Sequence, residues 1–86
     1  MDIIVRKPSE AERAAMLKEP TWGCGVSTFD WHYDSEETCL LTAGRVTVTH
    51  SGGRADFGQG DMVTFPRGLS CVWTVHEAVQ KHYYFT

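Results

Sequence analysis

The chain has little of what would hold a metal cluster, a polyanion or a bilayer. Its three cysteines, Cys24, Cys39 and Cys71, are odd in number and never stand in CxxC spacing, which argues against a disulfide framework and a zinc knuckle. Reduced thiols are the expectation. No basic cluster occurs: eight Lys and Arg stand against eleven Asp and Glu, a formal charge of −3, so a phosphate backbone has nothing to release counterions against and nucleic acid is not an expected partner. No apolar run reaches the roughly 20 residues needed to span a bilayer, so no membrane partner is expected. The start from Met1 to Arg6 also lacks the basic-then-apolar order of a signal peptide, and a cytoplasmic location is the expectation. Linkers, repeats and low-complexity stretches are missing as well. One domain over residues 1–86 follows.

What is present is a dense supply of apolar and aromatic side chains. A hydrophobic fraction of 42%, with three Trp, three Tyr and four Phe, suffices for the tightly packed core that so short a chain needs. Ile3 to Arg6 has strand character, and Ser9 with Glu12 has the spacing of a capping box that opens a short helix through about Leu17. Pro20 ends it. From there the pattern is period-two to the end: Thr28 to Tyr33, Thr38 to Thr42, Arg45 to His50, Arg54 to Phe57, Met62 to Phe65, Ser70 to Val75 and Ala78 to Phe85. Ser51, Gly52 and Gly53 form a hairpin loop, the cluster from Gly58 to Asp61 a turn, and Pro66, Arg67 and Gly68 another. About eight or nine short strands with a single short N-terminal helix predict an all-β antiparallel jelly-roll barrel.

Two spacings stand out. Gly25 is followed by five residues, Trp31, one residue, Tyr33, three residues, Glu37, six residues and Gly44. Gly60 is followed by five residues, Pro66, Arg67, Gly68, two residues and Cys71. Together they resemble the two motifs of the RmlC-like cupin superfamily, with Trp31, Tyr33 and Cys71 where that superfamily usually carries metal-binding histidines. The closest resemblance is to the small single-barrel cupins grouped with the ureidoglycine aminohydrolase cupin domain and the ethanolamine-utilisation cupins. Phe29 to Trp31, Glu36 to Cys39, Gly60 to Gly68 and Lys81 to Tyr83 carry it, over residues 20–86. The resemblance implies a cupin barrel, and its aminohydrolase branch implies deamination at a manganese-bound substrate. The substitutions at residues 31, 33 and 71 remove the imidazoles which that chemistry needs.

With Glu37 inward, as its motif position implies, alternation places Cys39 and Leu41 beside it and sends Thr38 and Leu40 outward. Trp31 and Tyr33 share a face, as do Cys71, Trp73 and Val75. The expected mouth is therefore lined by Trp31, Tyr33, Glu37, Cys39, Cys71 and Trp73. A carboxylate there costs several kcal/mol of desolvation unless it is paired or protonated. Lys81, on one face of the last strand with Val79, Tyr83 and Phe85, is the internal candidate for its partner, and Arg67 on the rim is a second.

Metal binding would fall to Glu37 and Cys71, two donors where a catalytic centre uses three. Neither a resident metal nor another cofactor is therefore expected. A Cys71–Glu37 dyad is also poor, because pKa values of about 8.5 and 4.3 make the proton transfer uphill by roughly 5–6 kcal/mol. The expected function is recognition of a small polar organic molecule in the mouth. Two alternatives stand beside it: an aminohydrolase-like enzyme acting on a small nitrogen-containing metabolite, either with a divalent metal or metal-free with Glu37 as acid or base, and a structural protein that forms a homodimer through a sheet face.

Overall fold

The computed structural model describes residues 2–86; Met1, the first residue of the expected domain, lies outside them. Chain order is β1 (Ile4–Arg6), α1 (Glu10–Met16), β2 (Thr21–Cys24), β3 (Ser27–His32), β4 (Glu37–His50), β5 (Gly53–Gly58), β6 (Met62–Phe65) and β7 (Ser70–Phe85). The helix starts where the sequence places it: Ser9 Oγ accepts from the Glu12 amide at 3.2 Å, and Glu12 Oε1 accepts from the Ser9 amide at 2.9 Å.

Every strand pairing is antiparallel, and the two long strands organise the rest. The first half of β4 lies between β6 and the second half of β7, Glu37 opposite Phe65 on one side and Phe85 on the other. Its second half pairs β5 and the first half of β7, Val48 opposite Trp73. The outer strands complete the arrangement: β1 on β6, and β2 and β3 each on its own stretch of β7. The result is a jelly roll whose strands fold over one core while the hydrogen-bonded ladder remains open.

Two breaks expected from sequence are bends. The expected pair Thr38 to Thr42 and Arg45 to His50 is one strand, as is the pair Ser70 to Val75 and Ala78 to Phe85. Register shifts between Leu41 and Val46 absorb the turn. Gly44 makes it with φ +97°, and a Cβ there would lie 2.5 Å from the Ala78 carbonyl oxygen. Only glycine fits both conditions.

The alternation is as expected, with one difference. Tyr33, Cys39, Leu41, Val46, Val48, Val63, Phe65, Trp73, Val75 and Val79 fill the main core. Leu40 does face away from it, yet it is fully buried in a second cluster with Met16 and Met62, because α1 covers that side of the sheet. Thr38 is buried there too, 3.3 Å from Thr64 Oγ1.

Candidate functional site

Between β2, β3 and the ends of β4 and β7 lies a cavity of about 240 Å³, lined by Trp22, Phe29, Trp31, Tyr33, Glu37, Trp73, Lys81, Tyr83 and Phe85. Its walls follow from register. Phe29 faces Trp73 across the β3–β7 ladder, and their rings stack at 6.0 Å with planes 15° apart. Trp22 faces Lys81 across the β2–β7 ladder and packs edge-on to Trp73. Trp31, about half exposed, stands at the rim edge-on to Phe29 and Tyr33.

Tyr33 is pinned from both sides of its backbone. Its amide donates to the Leu69 carbonyl at 2.9 Å and its carbonyl accepts from the Gly68 amide at 2.7 Å, so the turn at Pro66 holds the end of β3. Its ring stacks on Phe65 at 4.8 Å, and its hydroxyl oxygen accepts from Trp73 Nε1 at 3.2 Å. Burial, and next the charge of Glu37, raise the Tyr33 pKa, so the hydroxyl keeps its proton.

The polar element of the cavity is an ion pair. Lys81 Nζ donates to Glu37 Oε2 at 2.5 Å, with 7% and 3% of the two side chains exposed. The ammonium also lies 4.9 Å from the Trp73 ring centre and 5.1 Å from that of Trp22, close enough for cation–π attraction. Lys81 therefore does not snorkel to solvent: carboxylate and rings together replace its hydration. Arg67, the other candidate partner, is exposed on its turn.

Four of the nine lining residues, Trp22, Phe29, Tyr83 and Phe85, were missing from the mouth expected from sequence. Phe29 lies two residues before Trp31, and Tyr83 and Phe85 share the face of Lys81, so period-two alternation carries all three. Nothing in the sequence carries Trp22, which is placed by its pairing with β7.

Cys39 and Cys71 correct the expectation in the other direction. Both point to the inner face, yet neither lines the cavity: Cys39 is wholly buried in the core, and Cys71 borders a shallow hollow at the opposite side of β3, with Asp30, His32, Thr49 and Ser70. Burial pushes the Cys39 thiol up to about 12, with Lys81 opposing and Glu37 adding, and pushes the Cys71 thiol up to about 11. Neither thiol lines the mouth where alternation placed it.

The donor set does not fit a metal ion. Glu37 is committed to an ammonium that would repel a dication, the inner thiols lie off the cavity, and no group of three His, Cys, Asp or Glu assembles among the described residues. Histidines are engaged elsewhere: His32 with Ser70 Oγ at 2.8 Å, His76 with Thr47 Oγ1 at 2.8 Å, His82 with the Glu19 carbonyl at 2.9 Å, and His50 as acceptor from the Gly52 amide at 3.2 Å.

Comparison with known proteins agrees with this architecture. The sequence profile of the EutQ-like cupin domain matches residues 11–83. A DUF861 family protein from Thermotoga maritima, from a family of unassigned function, is 41% identical with a TM-score of 0.93, the match covering 99% of this chain and 100% of that one. The EutQ protein of Clostridium difficile is 18% identical with a TM-score of 0.70, and the match covers 76% of this chain and 52% of that one. EutQ of Salmonella typhimurium is 22% identical with a TM-score of 0.69, the match covering 76% and 53%. These two share the fold. No curated protein matches. No helix among the described residues is long and apolar enough to cross a membrane.

Proposed function

The chain belongs to the EutQ-like cupin family, and from that premise we propose that its barrel mouth binds a small polar organic molecule. One observation carries this reading: an aromatic cavity of about 240 Å³ keeps a buried carboxylate–ammonium pair in its wall. Filling such a position with apolar side chains is often neutral or stabilising, by about 1–4 kcal/mol, so a retained pair points to a role other than stability. Trp22, Phe29, Trp31 and Tyr33 supply stacking surface. Glu37 and Lys81 orient the guest. Because Lys81 already neutralises Glu37, the carboxylate is not a vacant seat for an organic cation.

A thermal-shift screen of small amines, amides and carboxylates against wild type and Trp31→Ala tests the proposal. Trp31 sits at the rim, where truncation leaves the core intact. A bound compound at ten times its Kd adds about 1.4 kcal/mol, which raises the Tm of a domain this size by roughly 5–10 °C. The expected result is such a shift in wild type, reduced in Trp31→Ala. No shift with any compound, or identical shifts in both proteins, contradicts it.

A further inference from the structure

The ion pair is only half satisfied. Lys81 donates to Glu37 Oε2, while Oε1 has no hydrogen-bond donor among the described residues. No buried side-chain oxygen or nitrogen among those residues is left without a partner, so Oε1 cannot be sealed in protein and opens on the cavity that Glu37 lines. The ammonium has three protons and gives one to Oε2. Tyr33 accepts from Trp73 and still has its own hydroxyl proton to give. The cavity thus presents an acceptor and donors close together, inside aromatic walls.

Charge narrows what can sit there. An organic amine would satisfy Oε1 and meet the Lys81 ammonium; a carboxylate would satisfy Lys81 and meet the Glu37 carboxylate. The amine would bring a second cation against Lys81, and the carboxylate a second anion against Glu37 and the electron-rich ring faces. A neutral group with an N–H beside a C=O satisfies both partners at once. Size narrows it further, since about 240 Å³ lies below the range of pockets for drug-sized ligands and suits a single ring. The aromatic lining, with Trp22, Phe29, Trp31 and Tyr33 around it, favours a flat one. Resting on the binding role proposed above, we infer that the cavity takes a neutral planar single-ring lactam or imide, its N–H donating to Glu37 Oε1 and its carbonyl accepting from Lys81 Nζ.

Four single-ring probes test this on the intact wild-type protein, which removes any doubt about folding of a variant: 2-pyridone, 1-methyl-2-pyridone, benzoate and benzylamine. Titration is followed through the tryptophan indole N–H resonances. Loss of a hydrogen bond to a charged group is worth roughly tenfold or more in affinity, so 2-pyridone is expected to bind at least that much tighter than its N-methyl form and than either charged ring. Equal affinity for the N-methyl form, or tighter binding of benzoate or benzylamine, overturns the lactam assignment while leaving ring binding in place. If none of the four binds while a compound of the thermal-shift screen does, the lactam assignment falls and the binding role stands; if neither set binds, both fall.

Discussion

Burial governs the chemistry of Cys39 and Cys71 and gives the protein a defined alkaline limit. Their thiols are raised from an ordinary 9.0 to about 12 and about 11, so between those values the native state holds protons that the unfolded chain has released. Stability is therefore full below pH 9.0 and lost as pH rises, up to about 11 through Cys71 and about 12 through Cys39. Each contributes about 1.4 kcal/mol per pH unit. Tyr33, raised also, acts in the same direction above its ordinary 10.0. Urea denaturation across this range is expected to show a plateau and then a fall that approaches about 3 kcal/mol per unit from the two thiols and about 4 once Tyr33 joins them. The slope should flatten in Cys39→Ala/Cys71→Ala; an unchanged slope in that variant would show that other groups carry the alkaline loss. The inward facing of both thiols was legible, because alternation fixes a face. Their absence from the cavity was not, because alternation says nothing of depth along the barrel axis.

Single strands that bend through both halves of the fold decide where the cavity forms. The sequence suggests two strands on either side of Ala43 and Gly44, and two more around His76 and Glu77, because Gly44 and the polar pair His76 and Glu77 interrupt the apolar alternation there. Pairing between β4 and β7 carries through both interruptions, with bulges, so each pair is one strand. This is a tertiary effect that a local pattern does not contain. The helix and its cap, by contrast, were legible from Ser9 and Glu12 alone, since a capping box is local. Gly44 is the test at this scale. Gly44→Ala forces a positive φ of 97° on an alanine and drives its Cβ to 2.5 Å from the Ala78 carbonyl oxygen. A loss of about 2–4 kcal/mol in chemical denaturation is expected from strain and overpacking together. Gly25→Ala, where a Cβ meets nothing within 4 Å, should change stability by less than about 0.5 kcal/mol.

For the whole molecule, the jelly roll and its membership of the EutQ-like cupins were legible from two spacings, Gly25 to Gly44 and Gly60 to Cys71, and the residues around them. The radius of gyration of 11.9 Å equals the roughly 12 Å of a compact chain of 86 residues, so the cavity does not come from loose packing. Its wall was legible in part. Glu37, Trp31, Tyr33, Trp73 and Lys81 all line it, while Trp22 required the β2–β7 register. The pairing of Glu37 with Lys81 joins residues 44 positions apart that two separate elements bring together. A fold this small has little stability to lose, and a charged pair inside it adds none that apolar side chains would not.

The decisive comparison is therefore wild type against Glu37→Leu/Lys81→Met, with Lys81→Met alone as reference, each unfolded by urea and each titrated with a ligand found in the thermal screen. Lys81→Met should lose about 3–5 kcal/mol by stranding a buried carboxylate, and the double variant should regain wild-type stability or exceed it by about 1–4 kcal/mol while ligand binding disappears. A double variant that stays as unstable as Lys81→Met, or one that binds the ligand as wild type does, would contradict the claim that this pair is kept for recognition.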